Sequence, residues 1–132
     1  MRRILVLLAA VVSIAGLTSG GGVATADTRT VQGCYDNAQP YATVIGHRHY
    51  PRGYPDGAWL TTTANCADIN VTTNVPRLIR VCFDPTSGPP YCQTDYTHVG
   101  SWWTVIATNV ANGTRFKLNF RTEIKANGLY AA

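Results

Sequence analysis
The chain has 132 residues, with eleven Lys and Arg against seven acids and a formal charge of +4 at neutral pH. This length supports one domain with its own core. The positive charge is small and scattered, with no run of like sign beyond the first residues, which excludes nucleic acid as an expected partner on electrostatic grounds.

The first residues read as an export signal. Arg2 and Arg3 precede an apolar run from Ile4 to Leu17, and Ala24-Thr25-Ala26 gives a small-x-small cleavage pattern. At about 14 residues the run is short for a bilayer core ~30 Å thick. Residues 1–26 are therefore expected to be a cleaved signal peptide, and residues 27–132 a single secreted β domain without a stable membrane anchor. Without the signal the chain keeps nine of the eleven Lys and Arg and all seven acids, a formal +2.

In chain order, residues 31–35 and 41–46 read as short strands around a turn-rich break. Residues 47–57 hold two prolines and two glycines and read as a loop. Residues 58–63 and 68–73 return to β character. Residues 77–83 are β-branched and apolar, a strong strand that ends in Asp84-Pro85-Thr86-Ser87-Gly88-Pro89-Pro90. Residues 91–97 read as the returning strand.

Residues 101–123 carry the strongest signal, two alternating runs around Asn112-Gly113, the favoured sequence of a tight hairpin. A two-residue loop there predicts one face with Trp103, Val105, Ala107, Phe116, Leu118 and Phe120 turned to the core. The other face carries Trp102, Ile106, Arg115, Lys117 and Arg121 outward. Asn127-Gly128 reads as a further turn. No segment past the signal has a sustained 3.6-residue period, so the fold is expected to be all-β, a small antiparallel β-sandwich or partly open barrel.

Four cysteines in a short exported chain read as a disulfide framework. Cys82 and Cys92 flank an apparent turn and are expected to pair, which leaves Cys34 with Cys66. Each bridge is worth about 2–4 kcal/mol. No Cys-x2-Cys pair argues for a metal centre.

The strings Trp59-Leu60-Thr61-Thr62-Thr63, Cys66-Ala67-Asp68-Ile69-Asn70, Arg80-Val81-Cys82-Phe83, Trp103-Thr104-Val105-Ile106-Ala107 and Gly113-Thr114-Arg115-Phe116 resemble a group of small exported proteins of actinomycete-type bacteria. The resemblance covers most of residues 59–120. It implies export and disulfides, and brings no catalytic residues with it.

Chemistry-bearing residues are few. Ser87 and Ser101 are the only serines after the signal, and neither sits in a nucleophile elbow. One glutamate and six aspartates show no paired spacing for glycoside hydrolysis. Glu123 with His98 is the nearest approach to an acid–base pair. His47-x-His49, with Asp56 as a third ligand, has metal-like spacing, but Pro51 and Gly53 favour a solvated loop end, so no metal and no cofactor are expected. Two recognition surfaces remain: the loop residues Arg48, Tyr50, Arg52 and Tyr54, which can stack on rings and pair with anions, and the outer face defined by Trp102, Ile106, Arg115, Lys117 and Arg121. The expectation is a monomeric, non-catalytic, disulfide-stabilised binding domain for an extracellular glycan or a secreted protein. An inhibitor of a secreted hydrolase that presents residues 84–90 is the alternative within binding proteins, and a small secreted hydrolase or toxin is the alternative from another class.

Overall fold
The computed structural model describes residues 31–132; the expected signal segment lies outside the described residues. The chain forms α1 (Val31–Asp36), β1 (Gln39–Ala42), β2 (His49–Tyr50), β3 (Leu60–Thr61), β4 (Ile69–Val71), β5 (Arg77–Asp84), β6 (Tyr91–Cys92), β7 (Thr97–Val99), β8 (Thr104–Ala107), β9 (Arg115–Phe120) and β10 (Asn127–Ala131). Two antiparallel sheets result. Sheet A has the order β1-β10-β4-β8; sheet B runs β2-β9-β5-β6, with β3 also on β9 and β7 also on β5. The sandwich expectation holds, and no barrel closes.

The core lies between the sheets. Ile69 and Val71 of sheet A meet Ile79, Val81, Phe116, Leu118 and Phe120 of sheet B, all essentially without exposure. Each such side chain contributes roughly 1.5–3 kcal/mol by leaving water. A second apolar cluster lies on the outer side of sheet A, where Cys34, Cys66 and Ala131 are buried with Tyr35, Ala38 and Trp103 against them. The Cys34–Cys66 bridge ties α1 there, and Trp103 stacks on Tyr35 at 4.4 Å and 4°.

The Cys82–Cys92 bridge joins directly opposed residues of β5 and β6. Both expected pairings are present. The returning strand is split: β6 and β7 both pair with β5, and between them the Gln93 side chain takes over part of the ladder. Val81 N donates to Gln93 Oε1 at 2.9 Å, and Gln93 Nε2 donates to the Ile106 carbonyl on sheet A at 3.0 Å. One amide thus links two sheet edges.

Three expectations need correction. Residues 31–35 belong to a short helix, not a strand, because the bridge from Cys34 and the Tyr35–Trp103 stack hold this turn against sheet A. Asn127-Gly128 lies inside β10 rather than in a turn; Gly is required because a Cβ on Gly128 would collide with the Thr72 carbonyl of β4's continuation. The third correction is the largest. Residues 101–123 do not form a hairpin, since β8 pairs with β4 in sheet A while β9 pairs with β2, β3 and β5 in sheet B.

The Asn112-Gly113 turn itself exists, with Gly113 at φ 82° and Thr114 N donating to the Ala111 carbonyl at 3.3 Å. It is pinned to Thr62, whose N donates to the Thr114 carbonyl at 2.9 Å and whose hydroxyl donates to the Ala111 carbonyl at 2.7 Å. Before it, Asn109 adopts φ 52°, breaks the strand, and has its N–H held by Asp68 Oδ1 at 2.9 Å. The chain therefore arches from one sheet to the other. The side-chain parity of β8 differs accordingly: Ile106 is buried and Val105 is exposed.

Candidate functional site
On β9 the inward set Phe116, Leu118 and Phe120 is as expected, but the opposite face is covered as well. Lys117 is fully buried and Asn119 nearly so. Lys117 cannot be a surface contact, because the 51–58 loop folds over it. Its ammonium donates to the carbonyls of Pro51 at 3.4 Å, Arg52 at 3.4 Å, Asp56 at 3.2 Å, and Ala58, and it stands 4.7 Å over the Trp59 ring. Four oxygens and an indole face replace water around the charge. Burial and then the neighbouring Arg115 hold the Lys117 pKa below its ordinary value, with Asp56 acting against them.

Next to Lys117 lies a hydrogen-bonded cluster on the same outer face of sheet B. Asn119 Oδ1 accepts from Arg80 Nε at 2.7 Å and from the Tyr96 hydroxyl at 2.9 Å. Those two donors fix the amide, so Asn119 Nδ2 faces His49 Nε2 at 3.0 Å. The ring accepts that bond, which requires a neutral imidazole. Tyr54 stacks on His49 at 5.0 Å and 7°. Desolvation first, then Lys117, Arg80 and Arg48, lower the His49 pKa. The His49 ring also stands near the Cys82–Cys92 bridge, with one ligand atom from each of the three residues within 4.8 Å of the others.

One concave feature lies beneath the 108–114 arch. It is a groove of about 450 Å³ lined by Phe83, Tyr91, Asp84, Arg115, Asn109 and Asn112 among others. Tyr91 is 55% exposed and leans on Phe83 at 5.6 Å. Arg115 pairs with Asp84 at 2.6 Å and lies 5.8 Å over Trp59. The pair holds the guanidinium at the rim while its indole neighbour backs it.

The expected site residues do not gather in one place. Arg115 alone enters the groove. Ile106 is buried in the core, Tyr50 is half-buried against Tyr41 and Tyr130, and Trp102 is 84% exposed. Arg48 pairs with Glu123 at 3.4 Å, both exposed, and Glu123 does not meet His98, which stands opposite Leu78 on β7. Arg121 lines a shallower cleft with Arg77, Leu78 and His98. Arg52 is exposed, Tyr54 is 37% exposed, and His47 lies exposed beyond the start of β2.

Sequence reasoning missed Tyr91, Asp84, Asn109 and Asn112 as groove residues. One signal was available: pairing Cys82 with Cys92 across a turn places Phe83 opposite Tyr91 and projects Asp84 beside them. No family model, curated protein or solved structure matches this chain. Among the described residues no helix is long and apolar enough to cross a membrane.

Proposed function
We propose that the protein is a secreted, non-catalytic binding domain that holds a segment of extracellular glycan in the groove under the 108–114 arch. The observation that carries this reading is the exposed Tyr91 ring set beside the Asp84–Arg115 pair and two asparagine amides in one concavity. A sugar ring offers apolar C–H faces for the phenol ring and hydroxyls that both donate and accept. The groove presents the matching set: carboxylate acceptor, guanidinium donor and amides that do both. Arg115 is already held by Asp84, so little ordering is required on binding. The two disulfides suit an oxidising, extracellular place.

Affinity electrophoresis and titration calorimetry against a panel of soluble cell-wall and environmental polysaccharides test this. Wild type should be retarded by at least one of them. Tyr91→Ala should lose about tenfold or more in affinity, a difference of ~1.4 kcal/mol, while Trp102→Ala should bind as wild type does. No retardation, or equal binding by Tyr91→Ala, would sink the groove assignment.

A second reading has one observation in its favour. Thr86, Ser87, Gly88 and Pro89 are exposed on a loop whose base is stapled by Cys82–Cys92, the form of a pre-organised inhibitor loop. Slowing of a secreted protease by the pure protein, relieved by substitutions at Thr86 and Ser87, would favour it over the glycan.

A further inference from the structure
β1 and β10 run on past their ladder as two loops tied to each other. Beyond Ala42 opposite Asn127, Thr43 N donates to the Ala126 carbonyl at 2.8 Å, and Gly46 N donates to the Glu123 carbonyl at 3.1 Å. Between these ties the chain turns tightly. His47 N donates to the Val44 carbonyl at 3.0 Å, and Gly46 takes φ 85° at the third position of the turn, where the left-handed backbone favours glycine. Ile45 is thereby held at the crown of the turn, 73% exposed. Ile124, on the partner loop, shares a shallow cleft with it and is 59% exposed; Val44 is 47% exposed. Cations flank this tip. Lys125 lines the same cleft, and on the far side of Ile124 a second cleft takes Arg77 and Arg121. Arg77 Nη2 donates to the Lys125 carbonyl at 3.3 Å, which joins the two clefts. Glu123 is the one carboxylate among the described residues lining either cleft, and it pairs with Arg48.

We infer that this surface docks reversibly on an anionic lipid bilayer, with Ile45, Ile124 and Val44 entering below the headgroups and Arg77, Arg121 and Lys125 set against the lipid phosphates.

Charge and apolarity together select this occupant. Aliphatic side chains gain only by leaving water, and the cations gain only beside anions. A bilayer supplies both in the right order, acyl chains deepest and phosphates above them. A soluble polyanion would leave Ile45 and Ile124 in water, and an apolar protein face would leave three cations unpaired. A stable protein interface also engages about 20–30 residues a side, whereas this tip offers three aliphatic side chains on two short loops. Those loops do not have to be ordered on docking, because the Thr43 hydroxyl accepts from Ala126 N at 2.7 Å beneath the tip. The site is independent of the Tyr91 groove. Arg77 opens β5 and Asp84 closes it, so the two surfaces stand at opposite ends of one strand, roughly 20–25 Å apart.

The test uses the exported chain, with its expected signal segment removed, and vesicles of phosphatidylcholine with or without an equal share of phosphatidylglycerol. Wild type should sediment with the mixed vesicles at about 0.1 M salt and be released at about 1 M. It should bind phosphatidylcholine alone about tenfold less tightly or weaker still. Ile45→Ser with Ile124→Ser, both at exposed positions, should weaken partition about tenfold or more, and Arg121→Gln with Lys125→Gln should do the same. Tyr91→Ala, at the groove, should sediment as wild type does. No sedimentation with the mixed vesicles, or unchanged partition in either pair of substitutions, overturns the assignment. A dimer in solution that Ile45→Ser disperses would give the tip to a second copy and overturn it too. On the unaltered sequence, a paramagnetic lipid in anionic bicelles should broaden the methyl signals of Ile45 and Ile124. It should spare Val105, which is exposed on β8 at the other edge of sheet A. Equal broadening of Val105 also overturns the docking surface.

Discussion

The Lys117 ammonium stands 4.7 Å over the Trp59 ring and donates to the Ala58 carbonyl one residue earlier. A strand residue thus fixes a loop by solvating its own charge in the loop's backbone. Replacement by Met keeps the length and apolar stem but leaves four carbonyls without their donor. An unsatisfied buried acceptor costs about 1–3 kcal/mol. Lys117→Met should lose at least that much stability by urea denaturation, and amide exchange should rise first in the 51–58 loop. Unchanged exchange there would mean that the lysine does not hold the loop.

His49 sets an acid limit. Its folded pKa lies below the ordinary value near 6.5, from desolvation and three nearby cations. As pH falls through about 6.5 the unfolded chain takes up a proton that the folded chain resists, so stability drops until the folded pKa is passed. Thermal midpoints should therefore decline from pH 7 toward pH 5. His49→Gln, which cannot titrate, should flatten that part of the profile. An equal slope in both proteins would place the proton elsewhere.

Gly128 and Gly100 make a matched pair. A Cβ at Gly128 meets the Thr72 carbonyl, whereas one at Gly100 meets nothing within 4 Å. Gly128→Ala should cost about 1–3 kcal/mol by overpacking, and Gly100→Ala should lie within about 0.5 kcal/mol of wild type. Chemical denaturation of the two variants compares them directly.

The bridges differ in the loops they close, 10 residues of separation for Cys82–Cys92 and 32 for Cys34–Cys66. Loop-closure entropy gives about 2.7 kcal/mol for the first and about 3.7 kcal/mol for the second. Replacing Cys34 and Cys66 by Ser should therefore lower the urea midpoint more than replacing Cys82 and Cys92. The reverse order would show that native-state contacts, and not chain entropy, set their worth.

Much of the framework was legible because it is local. The β-branched run at β5, the proline-rich turn after it and the even cysteine count led to the strand, the hairpin with β6 and the pairing. The Asn112-Gly113 turn was also legible, but its two arms were not. A turn specifies a reversal of the chain, and which sheet each arm joins depends on partners far away, β4 for one and β5 for the other. The change of parity at Asn109 rests on a left-handed backbone and on Asp68, neither visible in an alternating pattern. Lys117 and Asn119 alternate with Phe116, Leu118 and Phe120 as solvent-facing residues would. Their burial requires distant segments to arrive, the 51–58 loop over Lys117, and Arg80, Tyr96 and His49 around Asn119. The groove escaped notice for the same reason, since its walls come from the 83–91 turn and the 108–114 arch.

The arch has a consequence for how the domain is inherited. Read along the chain, β1 lies in sheet A, β2 and β3 in B, β4 in A, β5 to β7 in B, β8 in A, β9 in B and β10 in A. Neither sheet corresponds to a stretch of gene, and any break between β4 and β9 leaves both incomplete. Recombination that keeps this fold must carry the unit whole and cannot trade one layer for another.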